Sequence, residues 1–149
     1  MEEMLPVFAP GRVDAPLIAV AVLEDHHALG KRLVAASLRA GGFDVLDYGQ
    51  GLSVENLTAR CRLDAVEILL VSTLMLSAAL RIGQLTTALR DDAATQEVPA
   101  PWVIVGGAPF LFDDTLWQEV GADRFGESAG QSVALVQEAM TRTAGGMTR

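Results

Sequence analysis

Five short segments of strand character, the last of them weak, each followed by a stretch of helical period, restrict this chain to very few architectures. The segments are LIAVAVL (17–23), FDVLDY (43–48), AVEILLV (65–71), WVIV (102–105) and, weakly, ADRF (122–125). LIAVAVL and WVIV are apolar throughout, as expected of strands covered on both faces of a parallel sheet. Between the segments the period changes. Leu29, Leu33, Ala36 and Ala40 recur at helical spacing, and Gly41-Gly42 supplies a left-handed stop. Ser53 caps a helix holding Leu57 and Cys61, and a helix over 77–90 carries Leu85 and Leu89 on one side. The polar, proline-broken 91–101 reads as a loop. Asp113 or Asp114 caps a short helix with Leu116 and Trp117, and Val133, Val136 and Met140 mark a final one. Strands alternating with helices in this way predict an α/β fold, a doubly wound five-stranded parallel sheet, because parallel neighbours need right-handed crossovers.

Length and charge narrow the roles of such a fold. A chain of 149 residues, half of them hydrophobic, closes one core. Residues 1–16 hold three prolines and no sustained period, so they read as a leader or linker; 17–142 form the domain, and 143–149 a fraying tail. Eleven basic residues against nineteen acidic leave a formal charge of −8, which repels nucleic acid and anionic membranes. The sequence has no signal peptide and no apolar run of membrane-spanning length, which predicts a cytoplasmic protein. The lone Cys61 reads as packing.

Ligands of doubly wound sheets bind beyond the carboxyl ends of the strands. Three segments should meet there: LEDHHALG after the first strand, Ser72-Thr73 after the third and Gly106-Gly107 after the fourth. The first has one glycine and two acids, so it is neither a dinucleotide fingerprint nor a P-loop. Without Ser or Thr it also lacks a hydroxyl-rich flavin turn. The positions after the third and fifth strands lack the Asp and Lys of a phosphoacceptor domain. What is left is His27 with Asp25 two residues before it. A carboxylate can fix the tautomer of an imidazole and make its other nitrogen a better metal donor. On these residues alone, a solvated loop is the commoner reading.

Three motifs in order, however, are Asp25-His26-His27-Ala28-Leu29-Gly30, Ser72-Thr73-Leu74 and Gly106-Gly107. They match the D-x-H-x-x-G, S-x-L and G-G signature of the cobalamin-binding domain family, which the chain resembles from about Leu17 to Met140. Forty-one residues separate Gly30 from Ser72, the family's spacing, and thirty-one separate Leu74 from Gly106, an excess that falls to the proline-broken loop. GGAP (106–109) and GADRFGESA (121–129) extend the likeness through Ala108, Glu127 and Ser128.

The resemblance implies a flavodoxin-like, Rossmann-like cobalamin-binding fold. His27 would be the lower axial ligand of the corrinoid cobalt, in the base-off, His-on form, with Asp25 holding its other nitrogen. Ala28, Leu29 and Gly30 would border the slot for the displaced nucleotide tail, and Leu74 and Ser77 would flank it. Ser72 would bond near the displaced base, and Gly106 and Gly107 would leave room for the tail. His26 needs no metal role and reads as solvent-facing. Where the methionine synthase branch extends its axial pair to a serine, this chain has Ala78 beside Ser77. Leu76 stands where a threonine commonly helps hold the tail, and Gly126-Glu127-Ser128 departs from the closing motif; a looser hold on the tail follows.

The likeness of LEDHH, LVSTLML, GGAPFLF and Lys31 to corrinoid methyl carriers implies a carrier subunit of a methyltransferase system rather than a complete enzyme. Methylcobalamin is then a better expectation than adenosylcobalamin. Its partners would be a methyltransferase catalytic subunit and a reductive-activation protein. The alternatives are the small subunit of an adenosylcobalamin-dependent mutase, partnered by a mutase catalytic subunit, and a cobalamin-dependent regulator or corrinoid-handling protein.

Overall fold

The computed structural model describes residues 16–145. The expected leader up to residue 15, and 146–149 of the expected tail, lie outside them. Elements run β1 (Ile18–Val22), α1 (Leu29–Ala40), β2 (Val45–Asp47), α2 (Val54–Asp64), β3 (Ile68–Ser72), α3 (Leu76–Gln96), β4 (Trp102–Gly106), α4 (Ala108–Phe112), α5 (Leu116–Glu119), β5 (Arg124–Gly126) and α6 (Ser132–Gly145). A single 3-10 turn, Ala129–Gln131, leads into α6. All strand pairs are parallel, in the order β2-β1-β3-β4-β5, the flavodoxin-like arrangement.

Strand alternation divides the core between two layers. Ala19, Ala21, Leu69, Val71, Val103 and Val105 face Leu57, Ile82, Leu85, Phe110 and Leu116 from α2, α3, α4 and α5. Ile18, Val20, Ile68, Leu70 and Ile104 face Ala35, Leu38, Val136 and Ala139 from α1 and α6. Cys61 is buried in the first layer, where burial, with Asp64 nearby, pushes its thiol up to about 12; it packs and does not react.

Register places the functional end. Val22 pairs with Ser72, Ser72 with Gly106, and Gly106 with Gly126. Four strands therefore end level with one another, and the segments that leave them share one rim. Chain order reverses between β1 and β3, so a crevice opens there.

Several expectations change. The buried face of α1 is Lys31, Ala35 and Leu38; Leu29 and Leu33 are 68% and 50% exposed, and Ala36 and Ala40 are exposed as well. The sequence shows an apolar stripe, but a cleft has the same preference as a core. Lys31 is buried because its ammonium reaches Asp47 at the end of β2, with Oδ1 at 2.8 Å and Oδ2 at 2.7 Å. Helix α3 does not stop at Arg90. It runs through Asp91–Gln96, where Ala93 is buried and Arg62 pairs with Asp92 at 2.8 Å, and it stops at left-handed Glu97 before Pro99. The surplus residues before Trp102 are thus largely helical.

A helix that the sequence pattern hides, α4, follows β4 at once and buries Phe110. The short helix α5 is preceded by Thr115 rather than an aspartate; Asp113 instead accepts from the Thr115 amide at 3.1 Å. β2 is shorter than its expected segment and β5 is shifted from its own, and α6 continues past residue 142 to Gly145. The Ser53 cap does form, accepting from the Asn56 amide at 3.0 Å, and the left-handed stop after α1 is taken by Gly42 at φ 94°.

Gly107 connects β4 to α4 at φ 117°, and a Cβ there would lie 1.8 Å from the Thr73 carbonyl oxygen. Both the dihedral and the contact exclude a side chain. Gly107→Ala is expected to lower stability by at least ~2 kcal/mol, seen as a fall of several degrees in Tm by thermal unfolding. An unchanged Tm would show that this turn relaxes freely.

Candidate functional site: an apolar cleft under His27

The site begins with the way the chain leaves β1. Leu23 makes a single bridge to Leu52, and Glu24 turns left-handed at φ 64° with its amide donating to the Leu52 carbonyl at 2.8 Å. The Glu24 carboxylate is held by Arg81 at 2.9 Å. This bend tucks Asp25 inward. Its Oδ1 accepts from the His27 amide and its Oδ2 from the Leu74 amide, each at 3.0 Å. One carboxylate thus joins the loop after β1 to the loop after β3.

Burial alone would raise the Asp25 carboxyl. The amides of Leu74, His27 and Met75, together with the His27 ring, outweigh it and hold the group below its ordinary value. The ring itself is less tightly held. His27 Nδ1 lies 3.6 Å from Asp25 Oδ1, beyond hydrogen-bond length, and its side chain is 57% exposed. Asp25 therefore anchors His27 through the main chain and only faces its ring, which differs from the expected ring-nitrogen bond. His26 is exposed and rests over Gly51, where a Cβ would lie 2.3 Å from its ring.

Beside His27 lies a cleft of about 600 Å³ bounded by α1, the ends of β3 and β4, the segment after β5 and the start of α6. His27, Ala28, Leu29, Gly30, Ser72, Leu74, Gly106, Gly107, Ala108, Glu127 and Ser128 all line it. Asp25 does not; it ties the two loops together. Ser77 also lies outside the wall, exposed in the first turn of α3. The structure adds Leu33, Val34, Leu70, Ile104, Leu111 and Leu135, which make the wall mainly apolar, and buried Thr73. The α1 stripe was the available signal for Leu33; the strand residues read only as core.

The glycines divide by role. A Cβ at Gly30 would meet Ser72 Oγ at 3.6 Å, and one at Gly106 would meet the Gly126 carbonyl at 3.5 Å, both ordinary contacts. These two leave cleft volume open. Gly107 is required chiefly by the backbone of Thr73.

Residues 16–136 match the B12 binding domain family. The chain belongs to that family. It is 30% identical over 125 residues to the trimethylamine corrinoid protein of Methanosarcina barkeri, covering 83% of this chain and 55% of the relative. With the dimethylamine corrinoid protein of the same organism it shares 26% over 139 residues, 93% of this chain and 62% of that one. A cobalamin-binding protein from Desulfitobacterium hafniense DCB-2 superposes with a TM-score of 0.74 at 27% identity, covering 84% of this chain and 59% of the other. For the Methanosarcina barkeri monomethylamine corrinoid protein the TM-score is 0.67 at 29% identity, covering 81% and 57%. The chain spans about half the length of the trimethylamine relatives it matches.

The residues of this B12 binding domain suit a corrinoid. Among the described residues no trio of His, Cys, Asp or Glu is placed to hold a bare metal ion. One exposed imidazole beside an apolar cleft suits a metal that brings its own macrocycle. The cleft has the size of a pocket for a nucleotide-sized group. No helix among the described residues is long and apolar enough to cross a membrane.

A carboxyl held low in the folded chain stabilises it above the unfolded value and ceases to as pH falls. For Asp25 the contribution is full well above 3.8 and is lost as pH drops through that value toward the lower folded one. Asp25→Asn points an amide at one of two N–H donors. It is expected to lose ~1–3 kcal/mol near neutral pH and to flatten the acid limb of denaturant-measured stability. An acid limb as steep as that of the wild type would show that Asp25 is not the group responsible.

Proposed function

We propose that this chain binds a corrinoid in base-off, His-on form and acts as the methyl-carrying subunit of a methyltransferase system, with residues 17–142 as the carrier domain. The observation that carries the reading is the placing of His27, exposed at the mouth of the cleft and anchored by Asp25, on a domain whose relatives are named as methylamine corrinoid proteins. When bound, the corrinoid supplies a cobalt centre able to accept a methyl group and give it up again. The chain's own residues bind and orient. His27 would offer the ring nitrogen that faces away from Asp25, and Asp25 would act as a positioning residue. Leu29 and Leu33 would cover the apolar part of the tail, with Gly30 and Gly106 giving it space. Ser72 and Ser128 would meet its polar part.

Methylcobalamin is the form this role requires. Leu74 and Leu111 of the cleft wall are exposed, as are Met75, Leu76 and Leu80 in the loop after β3 and on α3, and Phe112 at the end of α4 is 90% exposed. These exposed side chains suit docking by a methyltransferase catalytic subunit, which shields both them and the cofactor. A reductive-activation protein is a further partner, since a carrier of this kind must be kept in its working redox state. The expected setting is the cytoplasm.

Reconstitution with cobalamin should give the absorption spectrum of a base-off, His-on species, and His27→Ala should abolish that signature. In the cobalt(II) form, labelling histidine with 15N should change the electron spin resonance splitting from triplet to doublet. A spectrum unaffected by His27→Ala rejects His27 as the ligand. Methyl turnover with a supplied methyltransferase subunit supports the carrier; radical rearrangement with adenosylcobalamin and a mutase subunit overturns it.

A further inference from the structure

Each element around the cleft changes character with depth. On α1, Gly30 faces Ser72 at the mouth, and Leu33 and Val34 follow one turn later. On α6, Ser132 is followed three residues later by Leu135. On the strands, Leu70 and Ile104 precede Ser72 and Gly106 by two residues, on the same face of the sheet. Two strand residues span about 7 Å and three helical residues about 5 Å. Leu70 pairs with Ile104 and Ser72 with Gly106, so the two levels lie in register.

The inner part of the cleft is therefore walled by the aliphatic side chains of Leu33, Val34, Leu70, Ile104 and Leu135, none of which can form a hydrogen bond. Leu70 and Ile104 each pair with strands on both sides, which occupies their main-chain groups. Of the serines nearer the mouth, Ser132 already donates to the Ala129 carbonyl at 2.6 Å. A corrinoid's tail has the same order of polarity. Phosphate and ribose come first and the base last, so a tail entering beside His27 brings its base to the aliphatic end.

We infer that the cleft favours corrinoids whose tail ends in an alkylbenzimidazole over those whose tail ends in a purine, with Ile104 and Leu135 among the residues that set the preference. This rests on the corrinoid reading of the cleft. Adenine carries an amino group and ring nitrogens along its edge, and each would exchange water for a wall that cannot pair it. The methyl-bearing edge of dimethylbenzimidazole buries carbon against the same wall. An apolar pocket rejects an added polar group by no more than about a hundredfold, so the preference is graded.

The test titrates the full chain with cobalamin, with its adenine-tailed counterpart, and with cobinamide, which has no base. The two bases leave cobalt with different ease, so each variant is read as the ratio of the two tailed affinities, compared with the same ratio in the wild type. Ile104→Thr and Ile104→Val give one shape and differ by a hydroxyl. Ile104→Thr is expected to move the ratio about fivefold toward the adenine-tailed form, and Ile104→Val to leave it within about twofold. Leu135→Gln, whose amide can pair with an adenine edge, should act as Ile104→Thr does, and Leu135→Met as Ile104→Val. Leu135 is only partly buried, so this second pair decides the matter if Ile104→Thr lowers the Tm of the cofactor-free chain. Cobinamide affinity should stay within about twofold throughout. A ratio that the polar variants leave unmoved, or that the apolar variants move equally, overturns the inference while the corrinoid reading stands. If the wild-type chain binds neither tailed corrinoid, the reading of the cleft itself fails, and the inference with it.

Discussion

One carboxylate joins the two loops on which the site depends. Asp25 leaves β1, accepts from the amide of His27 beyond it, and accepts also from the amide of Leu74 after β3. β1 and β3 are the strands between which chain order reverses, so their loops diverge around the crevice. Without the bridge each loop would leave an amide, that of His27 or of Leu74, to find a partner in water. With it, the position of the His27 main chain is set by the register of the sheet. The left-handed turn at Glu24, held by Arg81, aims Asp25 inward, so the strain of that turn and the bond it makes possible form one device.

The cleft results from how the helices are mounted on an otherwise flush sheet edge. Lys31 takes the buried place on α1 that an apolar residue would ordinarily hold, because Asp47 on the neighbouring edge strand receives its ammonium. Asp47 is held low accordingly: burial opposes ionisation, and the Lys31 and Gly49 donors outweigh it. With Lys31, Ala35 and Leu38 turned to the sheet, the Leu29–Leu33 stripe is turned to the cleft. The helix thus has two apolar-facing sides of different destination.

That arrangement explains what the sequence could reveal. Strand identity, parallel order and the clustering of three motifs on one rim followed from period and alternation, because a two-sided buried strand leaves few other placements. The destination of an apolar stripe did not, since burial against a core and exposure to a ligand cleft select the same side chains; Leu29 and Leu33 read as core for that reason. Asp91–Gln96 looked like a loop because its polar residues dominate, while Ala93 and the Arg62–Asp92 pair, both tertiary, keep it helical. Ala108–Phe112 is too short to show a period; Pro109 in its first turn and the burial of Pro109 and Phe110 account for it.

The contrast between the tight main-chain anchor and the loosely faced ring also suits a carrier. Two short bonds fix Asp25 to backbone, whereas Nδ1 of His27 stands 3.6 Å from the carboxylate and its ring is more exposed than buried. The fold fixes where the imidazole is rooted and leaves its ring exposed beside the cleft. A carrier must offer the same reactive centre to more than one protein, and a ring locked into the core would tie the centre to one orientation. The exposed apolar side chains, Phe112 above all, are unfavourable in water by themselves and gain from being covered. On the proposed carrier reading, a fixed root and an exposed ring would suit binding in the cleft and exchange at its mouth.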